Sequence, residues 1–441
     1  MNFRKLLFVS LGLLLVCQLG WAQQATSVQV TAARAEQIGH GLPVVAQSAT
    51  PSGYHRPFVW VGGTLSKGVT PLVSPALPSF CNTQHSYGWL YCPNDLEIAY
   101  EVPFTKTPGG TLIYKGSGET IAIVDAFHYA GNEADLNQFS SDMGLPQCTS
   151  ASGCFKNVDQ NGGQNFCGHN ANWELETMLD LEYAHAMAPL AKLVLVEGCT
   201  NSFADLAAAV TTAVGMADIV SNSYGSLEFG GEVGLDPVYN VNKPILFSSG
   251  DNGTPTSYPC ASPYVTCVGG TSLQINPFNA HRASETGWAG SGGGCSQFEV
   301  KPVYQSANGI NYCSSDRATP DIGAIAADTS EVAVLDSGNG GYFRVWGTSL
   351  ATPVMAGVFA VDMQARGGKF LHQINGDLYL RGCHGTANCI GPGQINSYFF
   401  YDVFAGGDNG TGTLGFGYDM VTGMGVAVGK SMGGLYGIPT P

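Results

Sequence analysis

"VWGTSLATPVMAGV", residues 345–358, sets Ser349 behind a Gly-Thr pair and ahead of an apolar run of helical spacing. A serine hydroxyl is a poor nucleophile until a base takes its proton, so the reading of this stretch turns on which base the chain offers. In the commonest arrangement that base is a histidine, and the chain has nine. "CHGTANC" (383–389) places His384 after the serine and between two cysteines, while His169 in "FCGHNANW" and His185 in "EYAHAMAP" stand in no triad-like context. Surface or internally satisfied histidines are the simpler reading of all nine.

Carboxylates offer a second answer. "NWELETMLDLEYAHAMAP" (172–189) spaces Glu176 and Asp180 four apart, which on a helix projects both from one face, one turn apart. Their apolar neighbours Leu175, Met178 and Leu179 suggest a partly buried setting, although the same spacing also suits a solvated acidic face. In "FSSGDNG" (247–253), Asp251 follows an apolar run and sits between glycines, in a turn that would carry its carboxyl to the end of a strand. An ordinary aspartate turn reads the same way.

The segments around these residues alternate between short apolar runs and helical patterns. "TIAIVDAF" (120–127), "AKLVLVEG" (191–198), "ADIVSNSYG" (217–225) and "KPILFSSGD" (243–251) read as strands. "ADLNQFSSDMG" (134–144), "ETMLDLEYAHAMA" (176–188) and "SFADLAAAVTTAV" (202–214) read as helices, the second halted by Pro189. Strands this apolar, separated by helices, predict an α/β protein with a parallel sheet covered on both faces. In such sheets the functional site lies beyond the carboxyl ends of the strands. Asp125, Ser223, Tyr224 and Asp251 stand there, with Ser349 at a helix start.

The N-terminus, "MNFRKLLFVSLGLLLVCQLGWAQQ", has a basic start, an apolar core and a small residue, Ala22, before two glutamines. It reads as a secretory signal peptide over 1–22, and no later stretch reaches the roughly 20 apolar residues a membrane span needs. A secreted, extracellular or periplasmic protein is expected, with no membrane contact after signal removal and a monomeric state. Residues 23–87, rich in Pro, Gly, Ser and Thr, read as an N-terminal extension, and 88–441 as one large domain.

Setting aside Cys17 of the signal leaves 12 of the 13 cysteines, an even number that favours disulfides in an exported chain. Neighbours in sequence suggest Cys81 with Cys92, Cys148 with Cys154, Cys260 with Cys267, Cys295 with Cys313 and Cys383 with Cys389, leaving Cys167 for Cys199. Spacing alone leaves the connectivity open. Only 12% of residues are charged and the formal charge is -15, which suits work at low pH, where protonated carboxylates repel one another less. No basic cluster is present, so nucleic acid is not an expected partner.

Taken in order, several strings resemble the sedolisin family, the serine-carboxyl peptidases. They are "DLEIAYEVP", "ETMLDLEYAHAMAPLAKLVLVE", "IVSNSYG", "SSGD" followed by "ASPYVTCVGGTSL", "SGGGCSQFEVKPVYQ", "RATPDIGA" and the Gly-Thr-Ser segment. The resemblance covers nearly all of 88–441. It implies a subtilisin-like three-layer α/β fold with a mostly parallel central sheet, here disulfide-rich, and a Ser-Glu-Asp triad in place of Ser-His-Asp. Ser349 is then the nucleophile, Glu176 the general base and Asp180 the carboxylate that orients it. Asp251 matches the oxyanion-hole aspartate, which must be protonated to donate a hydrogen bond to a developing oxyanion. An acid working range follows, with proteins or peptides as substrates.

"SNSYG" resembles the cleft-edge strand where peptide substrates pair, giving Ser223, Tyr224 and Gly225 as cleft residues. Asp125 matches a position where some relatives hold an acidic residue linked to the triad. Near the C-terminus the pattern implies one structural Ca²⁺, held by the side chains of Asp402 and Asp419 and by the backbone carbonyls of Val403, Gly415 and Gly417. One departure is plain: relatives carry a prodomain of well over a hundred residues, and 23–87 is too short for one. A catalytically inactive secreted binding protein on the same scaffold is the alternative expectation, set against the presence of all four catalytic residues.

Overall fold

In this computed structural model the described residues are 56–57, 60–65, 90–102, 115–370, 372–383 and 388–431. The signal segment 1–22, most of the extension, Cys81 and His384 lie outside them. All of the described residues belong to one compact unit, which runs from Ala49 onward.

Along the chain the elements are β1 (Arg56–Pro57), β2 (Trp60–Leu65), β3 (Leu90–Tyr91), α1 (Pro93–Ala99), β4 (Thr120–Ala126), α2 (Asn132–Met143) and β5 (Phe155–Asp159). Then come α3 (Ala171–Met187), β6 (Lys192–Gly198), α4 (Phe203–Met216), β7 (Ile219–Asn222), β8 (Tyr224–Leu227), β9 (Ile245–Ser248), β10 (Ser257–Tyr258), β11 (Thr266–Ile275) and β12 (Arg282–Gly287). The remainder holds β13 (Gly294–Val300), β14 (Asp316–Thr319), β15 (Ile322–Ile325), β16 (Glu331–Asp336), β17 (Gly341–Trp346), α5 (Thr348–Arg366), α6 (Asn375–Gly382), β18 (Phe400–Tyr401) and β19 (Val426–Ala427).

The central sheet runs β18-β19-β15-β11-β9-β7-β4-β6-β5, with β12 added to the far half of β11. From β19 to β5 every pairing is parallel; β18 and β12 are antiparallel. This is the mostly parallel sheet that the apolar runs predict. Helices α3 and α5 pack against each other on one face, with β16 of a second sheet (β2-β17-β16-β3) beyond α3. On the other face α4 covers β4, β6 and β7. There Val124, Val196, Leu206, Val210, Val220 and Phe247 form one buried cluster.

Local sequence accounts for the boundaries. Asn170 caps α3 by accepting the backbone N–H groups of Asn172 and Trp173, so the helix begins five residues before the expected Glu176. Ser202 caps α4 in the same way through the N–H of Asp205. The run 217–225, expected as one strand, divides at Ser223 into β7 in the central sheet and β8 in a small antiparallel sheet with β1 and β10. The break arises because Ser223 turns its hydroxyl and carbonyl toward α3 and α5 instead of continuing the ladder.

Among the described residues, five disulfides join Cys148–Cys154, Cys167–Cys199, Cys260–Cys267, Cys295–Cys313 and Cys383–Cys389, as the spacing suggests. Each closes a short loop, the longest spanning 32 residues. Part of the extension also has a place: β1 pairs with β8, Arg56 opposite Gly225 and Pro57 opposite Tyr224, and β2 pairs with β17. No helix among the described residues is long and apolar enough to cross a membrane.

Candidate active site

The four residues singled out for chemistry arrive from three elements. Glu176 and Asp180 lie in the middle of α3, which is buried on every side from Trp173 to Met187. The sequence spacing allowed a half-buried acidic face; the structure buries the whole helix between the central sheet, α5 and β16. Asp251 sits just past β9, where Gly250 takes φ +103° to turn the chain, a conformation that favours glycine. Ser349 is the second residue of α5 and follows Gly347 at φ +137°.

Ser223 ties these parts together. Its hydroxyl donates to Asp180 Oδ1 at 2.7 Å and contacts the Ser349 carbonyl at 3.2 Å, while its own carbonyl accepts from Ser349 Oγ at 3.2 Å. Asp251 Oδ1 accepts both the backbone N–H and the hydroxyl of Thr348, each at 2.8 Å, and Gly250 N–H donates to Thr348 Oγ1 at 3.0 Å. The Gly-Thr-Ser segment thus anchors Asp251 through its threonine and joins its serine to Ser223. Gly292 of the "SGGG" string lies beneath this turn, where a Cβ would stand 1.9 Å from the Ser249 carbonyl.

Glu176, Asp180 and Ser349 are fully buried. Burial pushes the Glu176 carboxyl well above the usual carboxylate range, and repulsion from Asp180, Asp125 and Asp251 adds to it; the Ser349 hydroxyl opposes. In this conformation Ser349 Oγ is turned to the Ser223 carbonyl, and neither Glu176 oxygen has a formed hydrogen bond. Asp180 is raised by burial and opposed by its bond from Ser223. Asp125, at the end of β4, is raised by burial, then by Asp180 and by Glu197, its register partner on β6. Buried carboxylates facing one another titrate as a set, because each charge discourages the next.

Not every expected residue contributes its side chain. Tyr224 is a core residue: its ring packs against Trp173 and edge-on to Phe247, and its hydroxyl donates to Asn222 Oδ1 at 3.0 Å. Only the backbone of Tyr224 and Gly225 faces a neighbouring strand. His185 is buried, and desolvation holds its imidazole below the usual histidine range, with Nε2 2.8 Å from the Pro146 carbonyl; His169 pairs with Glu174. Two residues near the site were not singled out in the sequence, Glu197 and His128. A legible signal existed, since "VDAF" and "LVEG" both end adjacent apolar strands in an acid.

Near the C-terminus, Asp402 accepts the Gly417 N–H at 3.2 Å through either oxygen. Asp419 Oδ2 accepts from Gly415 N–H at 3.3 Å, and its Oδ1 accepts from the N–H groups of Val421 and Thr422. Thr422 Oγ1 lies 3.4 Å from the Val403 carbonyl and 3.3 Å from Asp419 Oδ1. Burial pushes Asp402 up to about 6 and Asp419 up to about 7. Two carboxylates and a carbonyl near one another form an oxygen-only set of the kind a hard cation prefers. Among the described residues no cluster of three or more His, Cys, Asp or Glu is placed to hold a metal; the expected set has two carboxylates and draws its other ligands from backbone.

Residues 161–375 match the subtilase family. Kumamolisin of Bacillus sp. (strain MN-32) is 27% identical over 378 residues, covering 77% of this chain and 62% of the relative. Tripeptidyl-peptidase 1 of Bos taurus is 32% identical over 191 residues, 34% of this chain and 33% of the relative. The chain therefore spans less than two thirds of the length of either. Among solved structures, that of Pseudomonas sedolisin, a serine-carboxyl proteinase complexed with two molecules of pseudo-iodotyrostatin, superposes with a TM-score of 0.64 at 23% identity, over 78% of this chain and 96% of that one.

Proposed function

We propose that this chain, which carries a subtilase-family domain with a subtilisin-like fold and has homologues among the sedolisins, is a secreted serine-carboxyl endopeptidase that works at acid pH. The observation that carries the reading is the convergence of Ser349, Glu176, Asp180 and Asp251 at the start of α5, held by Ser223 and Thr348.

Ser349 Oγ attacks the scissile carbonyl carbon while its proton passes to Glu176. The carbonyl oxygen becomes an oxyanion, and protonated Asp251 donates to it. Since Asp251 Oδ1 already holds two donors from Thr348, its proton belongs on Oδ2. The intermediate collapses by expelling the amine, which takes the proton from Glu176. Water then adds to the acyl-enzyme by the same route, giving its proton to Glu176 and releasing the acid and Ser349.

Acid conditions fit each role. When Asp125, Asp180 and Asp251 hold protons, Glu176 loses the repulsion they exert and is the group left to ionise. As pH rises the neighbours ionise in turn, and an ionised Asp251 repels the oxyanion instead of stabilising it. The backbone of β8 supports peptide binding by strand addition. One Ca²⁺ on Asp402, Asp419 and the carbonyls of Val403, Gly415 and Gly417 would tie the chain end to the domain without entering the chemistry.

Digestion of a denatured protein between pH 3 and 8 tests the reading. Wild type should cleave best well below pH 7, and Ser349→Ala and Glu176→Ala should each lose at least about a thousandfold. Equal cleavage by all three would sink the triad, a neutral optimum would sink the protonated Asp251, and no cleavage by wild type would favour a binding protein.

A further inference from the structure

Beyond Asp125 the row of acids does not stop. Asp125 and Glu197 are register partners on the parallel strands β4 and β6, so their side chains leave the same face of the sheet at its carboxyl edge. Both are buried. Glu197 Oε2 then meets His128 Nδ1 at 2.7 Å, and its Oε1 accepts the Tyr129 N–H at 3.4 Å. The imidazole is stacked on Phe166 at 4.1 Å between centroids and stands about a quarter exposed.

The chain is bent to make this contact. Phe127 takes φ +65°, in the left-handed region that non-glycine residues avoid, and its N–H bonds to the Gly198 carbonyl at 2.7 Å. This turn brings His128 back over the end of β6. A strained residue next to catalytic groups invites a functional reading. The local hydrogen bonds explain how the strain is held; the contact it secures supplies a reason for it.

We propose that Glu197 and His128 are positioning residues for the catalytic carboxylates: with Asp125 they extend the row of ionisable side chains from Asp180 to the surface, and their charges set the pH at which Glu176 becomes the working base. This rests on the peptidase reading above. The groups facing Glu197 are Asp125 from β4, His128 and the Tyr129 N–H from the turn after it, and Asn157 and Asp159 from β5. The N–H groups of Asn161, Gly163 and Asn165 hold the Asp159 carboxyl below the usual carboxylate range. Facing Asp125 are Glu197, Asp180 and Thr177.

Burial raises the Glu197 carboxyl and the His128 contact opposes that rise, so acid and base offset one another's field on Asp125 at the outer end of the row. Glu197→Gln removes the acid of this pair and leaves the imidazole. The positive field then favours ionisation of the inner carboxylates, and the acid limb of the kcat/KM profile moves to lower pH. His128→Gln leaves an uncompensated anion, so the inner groups hold their protons more tightly and the limb moves to higher pH. His128→Lys keeps the charge and should restore the wild-type limb.

The test is the pH dependence of kcat and kcat/KM for the full-length protein and these three variants on one chromogenic peptide, with melting temperatures as the folding control. Shifts of about half a pH unit, opposite in sign for the two Gln variants, are expected for a charge change several residues from the base. Unmoved limbs in both Gln variants, with any loss confined to overall rate or melting, would overturn the proposal and leave Glu197 and His128 as structural groups. Should Glu197→Gln not fold, the His128 pair decides alone, because that side chain is at the surface. Inactive wild type would sink the peptidase reading itself, an outcome separate from active wild type with unmoved limbs.

Discussion

Around Arg317 the buried charge meets an opposite charge and several hydrogen-bond partners, with only Nε left over, whereas around Glu176 it does not. The Arg317 guanidinium, fully buried, donates to Asp321 Oδ2 at 2.7 Å, to the Val265 carbonyl at 3.1 Å and to the Tyr304 hydroxyl. Asp321 in turn accepts from the Cys267 N–H at 2.7 Å and the Tyr379 hydroxyl at 2.8 Å. Burial opposes the charge on Arg317 and Asp321 favours it; burial likewise raises the Asp321 carboxyl, and Arg317, the Cys267 N–H and the Tyr379 hydroxyl oppose that rise. In the row Glu176, Asp180, Asp125, no lysine or arginine among the described residues pairs with any of the three, and the Glu176 and Asp125 carboxyls have only the hydroxyls of Ser349 and Thr177 to oppose burial. The first arrangement pairs its charges within the structure. The second stores a preference for protons, which suits a site that must move them.

Three experiments press on this contrast, the most severe first. Arg317→Met converts the matched region into an unmatched one by stranding the Asp321 carboxylate, and should cost about 3–5 kcal/mol in urea unfolding at pH 5. Pairing it with Asp321→Leu should recover much of that loss. A single-variant cost below about 1 kcal/mol would show that Asp321 simply takes up a proton, and the contrast would collapse.

Next is the pH dependence of stability. Burial pushes Glu232 up to about 9 and Glu299, Asp336 and Asp362 each up to about 8, in addition to the raised acids of the site. For carboxyls whose folded affinity for protons exceeds the unfolded one, stability is complete below the unfolded pKa near 4 and falls as pH climbs toward the folded values. Melting followed from pH 4 to pH 8 should therefore fall steadily, by roughly 3 kcal/mol or more in stability, each unit of retained shift being worth about 1.4 kcal/mol. A maximum at pH 8 would contradict the unmatched state of these acids.

The smallest effect decides to which side Asp402 and Asp419 belong. If calcium matches them from outside, millimolar calcium should raise the melting temperature and a chelator lower it, by about 2.7 kcal/mol at a hundredfold excess over Kd. Asp419→Asn should abolish the difference. Identical melting curves with calcium and with chelator would leave this pair among the unmatched acids.

Much of the sheet is legible in the sequence because its strands are buried on both faces and read as apolar runs. "TIAIVDAF" and "AKLVLVEG" fall within one residue of β4 and β6. The start of α3 is less legible, since its first turn depends on the Asn170 cap. The division at Ser223 was hidden because "IVSNSYG" holds no proline or glycine at that point to mark a break; only the bonds to Asp180 and Ser349 interrupt the strand. Tyr224 illustrates the same limit from the other side: a residue at a strand end can expose its backbone while its ring completes the core. Glu197 and His128 needed register, which the sequence does not carry. Asp125 and Glu197 lie 72 positions apart and become neighbours only once β4 and β6 are paired.

The short strand Tyr224–Leu227 is paired over its whole length, with Arg56–Pro57 on its first half and Ser257–Tyr258 on its second, and β1 also lies beside α3. A peptide that docks as a strand on Tyr224 and Gly225 thus arrives as a rival to a segment of the same molecule. A tethered rival of this kind acts at an effective concentration on the order of millimolar, however dilute the protein is. A peptide docking there would enter only as Arg56 and Pro57 let go, and at saturating peptide their release would set the rate of entry.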